Sequence, residues 1–127
     1  MVCVDPIAGI PGHEEEPAAP RRERHVEVPG IAHSQDDLDR TIAAVREWIR
    51  QNHAATIFSV SQNDWYNPCA CPACKAVDDE EGSHAGTLIR FVNQVAEAIG
   101  KDHPGVAIDT LAYQYTRKPP RLVKPLP

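Results

Sequence analysis

The run Thr56-Ile57-Phe58-Ser59-Val60-Ser61 decides how this chain reads. It is short, β-branched and aromatic-rich, follows the polar break Gln51-Asn52-His53 and ends at the turn-forming pair Asn63-Asp64. These features predict a buried strand. Upstream, Ser34 followed three residues later by Asp37 is a capping-box-like start, and Leu38, Ile42, Val45 and Ile49 recur at helical spacing. That pattern predicts a helix over about 35–52. Downstream comes a long loop holding Pro68, Pro72, three cysteines and the acidic run Asp78 to Glu81. Ser83 then precedes a second amphipathic stretch carrying Leu88, Phe91, Val92, Val95, Ala96 and Ile99. It predicts a helix over about 84–100, stopped by Asp102-His103-Pro104-Gly105. Val106 to Tyr113 reads as a second strand, with Gln114 to Pro120 leaving it.

A strand, a crossover helix and a second strand make a βαβ unit, whose strands run parallel with a right-handed connection. The expected fold class is α/β, with two parallel strands and two main helices over residues 33–118. Residues 1–32, with Glu14-Glu15-Glu16 and Arg21-Arg22-Glu23-Arg24 and no apolar periodicity, are expected to be irregular or disordered. Residues 119–127 hold four of the twelve prolines and read as an extended tail. Two parallel strands do not finish a sheet, because parallel sheets are covered on both faces. Further strands must come from elsewhere, or from self-association through the uncovered sheet edges. Parallel strands also share a C-terminal edge. Gln62-Asn63-Asp64-Trp65-Tyr66 and Tyr113-Gln114-Tyr115-Thr116-Arg117 are therefore expected to face one another where α/β folds place ligands.

The 127 residues are 42% hydrophobic and 24% charged, with a mean hydropathy of −0.41, as in one soluble domain or a piece of one. No run approaches the ~18 consecutive apolar residues of a spanning helix, and Met1 to Gly12 lacks the basic and apolar regions of a signal peptide. Neither a membrane partner nor a secretory leader is expected. Thirteen Lys and Arg against eighteen Asp and Glu give a formal charge of −5. That balance argues against nucleic acid as a partner, since neutralising phosphates needs a net basic face.

Two constellations carry chemistry. In the first, Asp64 lies among amides and aromatic rings at a strand's C-terminal end. Amides fork hydrogen bonds to vicinal hydroxyls and flat rings stack on the apolar faces of sugars. Asp64 is the candidate catalytic acid, and Gln62, Asn63, Trp65, Tyr66, Tyr113, Gln114, Tyr115 and Arg117 are the candidate substrate contacts. The plainer alternative is turn chemistry, with Asp64 as an Asx-turn or cap residue, and Arg117 as the start of a linker.

In the second, Cys69-Ala70-Cys71-Pro72-Ala73-Cys74 has C-x-C-x-x-C spacing. Three thiolates so placed can close around one face of a zinc ion, with His84, Cys3 or a residue from outside the chain as fourth ligand. The alternatives are a disulfide, a C-P-x-C thiol oxidoreductase pair at Cys71 and Cys74, a metal-stabilised interaction module built on the cluster, and merely reduced thiols. The oxidoreductase needs Cys71 at the start of a helix directly following a strand. The acidic run Asp78 to Glu81 reads as a solvated loop, His13, His25, His33 and His53 as surface residues, and Trp48 as core.

Three motifs in order resemble a known family: Ser59 to Cys74; Ser83 with Leu88-x-x-Phe91-Val92-Asn93-x-Val95-Ala96; and Leu111-Ala112-Tyr113-x-Tyr115-Thr116-x-x-Pro119-Pro120. They are similar to the bacterial domain-of-unknown-function family number 4838. The resemblance implies a large exported parent protein, often with carbohydrate-binding modules, whose central domain is like the TIM barrels of hexosaminidase- and glucuronidase-like glycoside hydrolases. This chain would then be a partial (β/α) barrel fragment with a carbohydrate partner, since a whole barrel takes ~250 residues. Glycoside hydrolysis uses two carboxylates. Only Asp64 offers itself at a strand end, so the chain alone is expected to be inactive.

Overall fold

The computed structural model describes residues 3–4, 24–28, 34–62 and 67–127. Its elements are β1 (Cys3–Val4), β2 (Arg24–Val28), α1 (Gln35–Gln51), β3 (Ile57–Gln62), α2 (Pro72–Glu81), α3 (Ala85–Asp102) and β4 (Ala107–Asp109), followed by a 3₁₀ turn, Gln114–Thr116. Ser34 starts α1 as the sequence anticipates: its Oγ accepts from the Asp37 amide at 3.0 Å. Asp36 and Asp37 lie in the first turn and Arg50 in the last, each sign matched to the helix dipole. Leu38, Val45, Trp48 and Ile49 form the buried face of α1. They meet Leu88, Phe91, Val92, Val95 and Ile99 of α3 and Phe58 and Val60 of β3 in one core.

Every residue of β3 after Ile57 is buried, as a central strand requires. Alternation sends Phe58 and Val60 into the helical core. Ser59 and Ser61 fall on the other face, their hydroxyls 3.2 Å apart. β3 pairs in parallel with β4, Ile57 opposite Ala107 and Ser59 opposite Asp109, so the parallel βαβ expectation holds. It also pairs in parallel with β2, Arg24 opposite Phe58 and Val28 opposite Gln62. The described sheet has the order β1-β2-β3-β4, with β1 antiparallel to β2.

Three expectations need correction. The stretch 1–32 holds β1 and β2; Val26-x-Val28 alternates as a strand should, but the charged residues before it masked that signal. The second strand is three residues long, not eight. Beyond it, Tyr113 directs its backbone to Gln62 and Thr116, not to a ladder. The loop after β3 contains a helix, α2, with Pro72 in its first turn and the left-handed Gly82 (φ 68°) as C-cap. Its acidic C-terminal end opposes the helix dipole, which is why that run reads as loop. Lys75 offsets this at Asp79 (2.6 Å), and Arg90 at Glu80 (3.1 Å) and Glu81 (2.8 Å).

The proline-rich tail has no regular structure but is tied down. The Glu81 side chain, fully buried, accepts from the Leu122 and Val123 amides at 2.8 and 3.1 Å. Asn93 donates to the Lys124 carbonyl and accepts from the Leu126 amide. Among the described residues, no helix is long and apolar enough to cross a membrane.

Candidate functional site

Because β2, β3 and β4 run parallel, their C-terminal ends share one edge. The end of β3 and the segment beyond β4 meet there through Gln62. Its Nε2 donates to the Tyr113 carbonyl at 3.3 Å, its carbonyl accepts from the Tyr113 hydroxyl at 3.3 Å, and its Oε1 accepts from Thr116 Oγ1 at 2.5 Å. Gln62 and Thr116 are each 2% exposed, so these groups join the two segments. Gln114 takes a left-handed backbone (φ 52°), an uncommon conformation outside glycine. Tyr113, before it, engages Gln62, and Tyr115, after it, contacts His84. Arg117 is exposed at the end of the turn. Asn63, Asp64, Trp65 and Tyr66 lie outside the described residues.

The cysteine cluster forms at the start of α2. Cys71 is the N-cap, its sulfur accepting from the Cys74 amide at 3.4 Å. The Cys69, Cys71 and Cys74 sulfurs lie within 4.8 Å of one another, and all three thiols are unbridged. A tetrahedral zinc ion with ~2.3 Å bonds spaces its sulfurs about 3.8 Å apart, so the three could hold a metal ion. The amide bond from Cys74 holds the Cys71 thiol below its usual range, against the opposing effect of burial. Burial pushes the Cys74 thiol upward, and the two neighbouring sulfurs add to this. A bound cation reverses that cost, because coordination deprotonates a thiol. His84 does not join these ligands. It follows the far end of a ten-residue helix, roughly 15 Å along its axis from Cys71. Cys71 does begin a helix, but that helix starts ten residues after β3, not directly from the strand as the oxidoreductase alternative needs.

A third group falls in the acidic run that the sequence presents as a solvated loop. Asp78 and Glu81, three apart on one face of α2, are 8% and 0% exposed and are not part of a solvated loop. Asp78 accepts from the Thr87 amide (3.2 Å) and hydroxyl (2.7 Å) at the start of α3 and pairs with His84 Nδ1 at 2.9 Å. The Tyr115 ring stands edge-on to His84, centroids 6.1 Å apart. A cavity of about 410 Å³ lies here, lined by Asp79, Ser83, His84, Tyr115 and Lys118. The available signal was the i, i+3 spacing within the acidic run, followed by His84.

These features define a mixed helix-and-strand protein built around three parallel strands. The chain belongs to the family described as Domain of unknown function (DUF4838), whose model matches residues 19–127. No curated protein and no solved structure matches it.

Proposed function

We propose that the chain is part of a glycoside-hydrolase-like, carbohydrate-active domain that binds a glycan at the C-terminal edge of its parallel strands. The observation that carries this reading is the junction of Gln62 with Tyr113 and Thr116. It fixes the chain beyond β4 beside the point from which Asn63-Asp64-Trp65-Tyr66 continues. Supporting it, β2, β3 and β4 are neighbours in chain order, and α1 and α3 share one core with a single face of β3. Singly wound (β/α) sheets keep this order throughout, and each half of a doubly wound sheet has it too, the reversal falling between the halves. Asp64 is the candidate acid and Trp65 and Tyr66 the stacking rings. Calorimetric titration of the purified chain with N-acetylhexosamine and glucuronic acid oligosaccharides tests this. Saturable binding, weakened about fivefold in Trp65→Ala, supports it. The folded chain binding none of these sugars contradicts it.

The convergence of three sulfurs supports a second assignment, a structural zinc at Cys69, Cys71 and Cys74. Such a site would pin the segment between β3 and α2. Protein prepared with zinc should carry one ion per chain, lose it in Cys71→Ser, and melt at a lower temperature after chelation. Chain free of zinc with all three thiols reactive in the folded state contradicts the assignment. Turnover of a disulfide substrate would favour the exchange pair instead.

A further inference from the structure

We propose that His84, oriented by Asp78 and flanked by Tyr115, forms a second hydroxyl-recognising subsite in the cavity between the α2–α3 junction and the 3₁₀ turn. The proposal rests on the carbohydrate reading and adds a binding position to it. A carboxylate offers lone pairs only, so the imidazole Nδ1 donates to Asp78, and in the neutral form of such a ring the acceptor is Nε2. The His84 side chain is 49% exposed while Asp78 is 8% exposed. The orienting group is therefore internal, and the ring it orients lines the cavity.

Asp78 is itself held. Two donors from Thr87 engage its other oxygen, so the dyad is anchored to the first turn of α3. On the opposite wall, the backbone turn at Gln114 presents Tyr115. Burial, then Tyr113 and Asp78, push its phenol above the usual range, so its hydroxyl stays a donor at neutral pH. The cavity also carries the Asp79 carboxylate and Lys118. Two carboxylates against one lysine disfavour an anion, and among the described residues only the cysteines form a candidate metal cluster. A neutral polyol matches the groups that remain. Its hydroxyls donate to Nε2 and Asp79, and its apolar face meets an aromatic ring.

The test is nitrogen NMR of the ¹⁵N-histidine-labelled chain, with the His84 signals assigned by their loss in His84→Gln. Titration with N-acetylglucosamine and methyl glucoside should move the His84 Nε2 resonance saturably, while inorganic phosphate leaves it in place. Tyr115→Leu should weaken that response about fivefold. Asp78→Asn should shift the His84 tautomer signature and weaken the response, with circular dichroism confirming the fold. If Asp78→Asn does not fold, the wild-type titration and Tyr115→Leu still decide. A resonance unmoved at saturating sugar, or moved by phosphate, overturns the subsite. Sugar binding seen by calorimetry with His84 silent removes the subsite alone. No sugar binding at all removes the carbohydrate reading as well.

Discussion

Single residues in this chain divide into those whose type announces a role and those whose role depends on a neighbour. The three cysteines belong to the first kind: their spacing alone brings the sulfurs together once a helix starts at Cys71. Glu81 belongs to the second, because burial of a carboxylate follows only from Arg90 and two tail amides, 9 to 42 residues away. Gly86 is tied to the same group. A Cβ there would lie 2.6 Å from Glu81 Cγ and 2.7 Å from its Cβ, and the bonded carboxylate cannot move aside. Gly86→Ala should therefore destabilise the fold by about 1–3 kcal/mol through overpacking. Gly100, also within α3, has nothing within 4 Å of the corresponding position. Gly100→Ala should stabilise by about 0.5–1 kcal/mol. Chemical denaturation of both variants checks the pair, and equal effects would contradict the packing argument.

At the scale of elements, α1, β3 and α3 were legible because each carries its own period and terminus: Ser34 before a helical stripe, a β-branched run, and a stripe closed by Pro104-Gly105. α2 was not, because its stability comes from outside its own sequence. Its acidic end is compensated by Arg90 of α3, and Arg121 of the tail donates to the Glu80 carbonyl. That dependence has a pH signature. Burial works against ionisation of Glu81, but the donors from Arg90, Leu122 and Val123 outweigh it and hold the carboxyl below its usual range. A lowered folded value means the stabilisation is complete above the ordinary glutamate pKa of about 4.3. It is lost as pH falls through the folded value. The protection of the Leu122 and Val123 amides, taken relative to intrinsic exchange at each pH, should fall on acidification. Glu81→Gln should exchange fast at neutral pH already, with a lower melting temperature. Protection that persists unchanged in the variant would show that the tail is held by other contacts.

At the scale of the whole molecule, the parallel βαβ unit was legible from the order of periods, whereas β2 was hidden by the charged residues before it. The meeting of the two strand exits was legible too. Gln62 and Tyr113 do meet across the strand ends, as parallel pairing dictates. Gln62, however, is enclosed in a junction with Tyr113 and Thr116 and does not stand free at the edge. The Asp78–His84 dyad escaped the sequence because a helix first had to turn Asp78 toward α3. The central claim, a glycan site at this edge, is tested most directly by calorimetric titration of the folded chain with N-acetylhexosamine and glucuronic acid oligosaccharides, wild type beside Trp65→Ala. Saturable binding by the wild type and about fivefold weaker binding by the variant are expected. Binding that is absent, or identical in the two proteins, would contradict it.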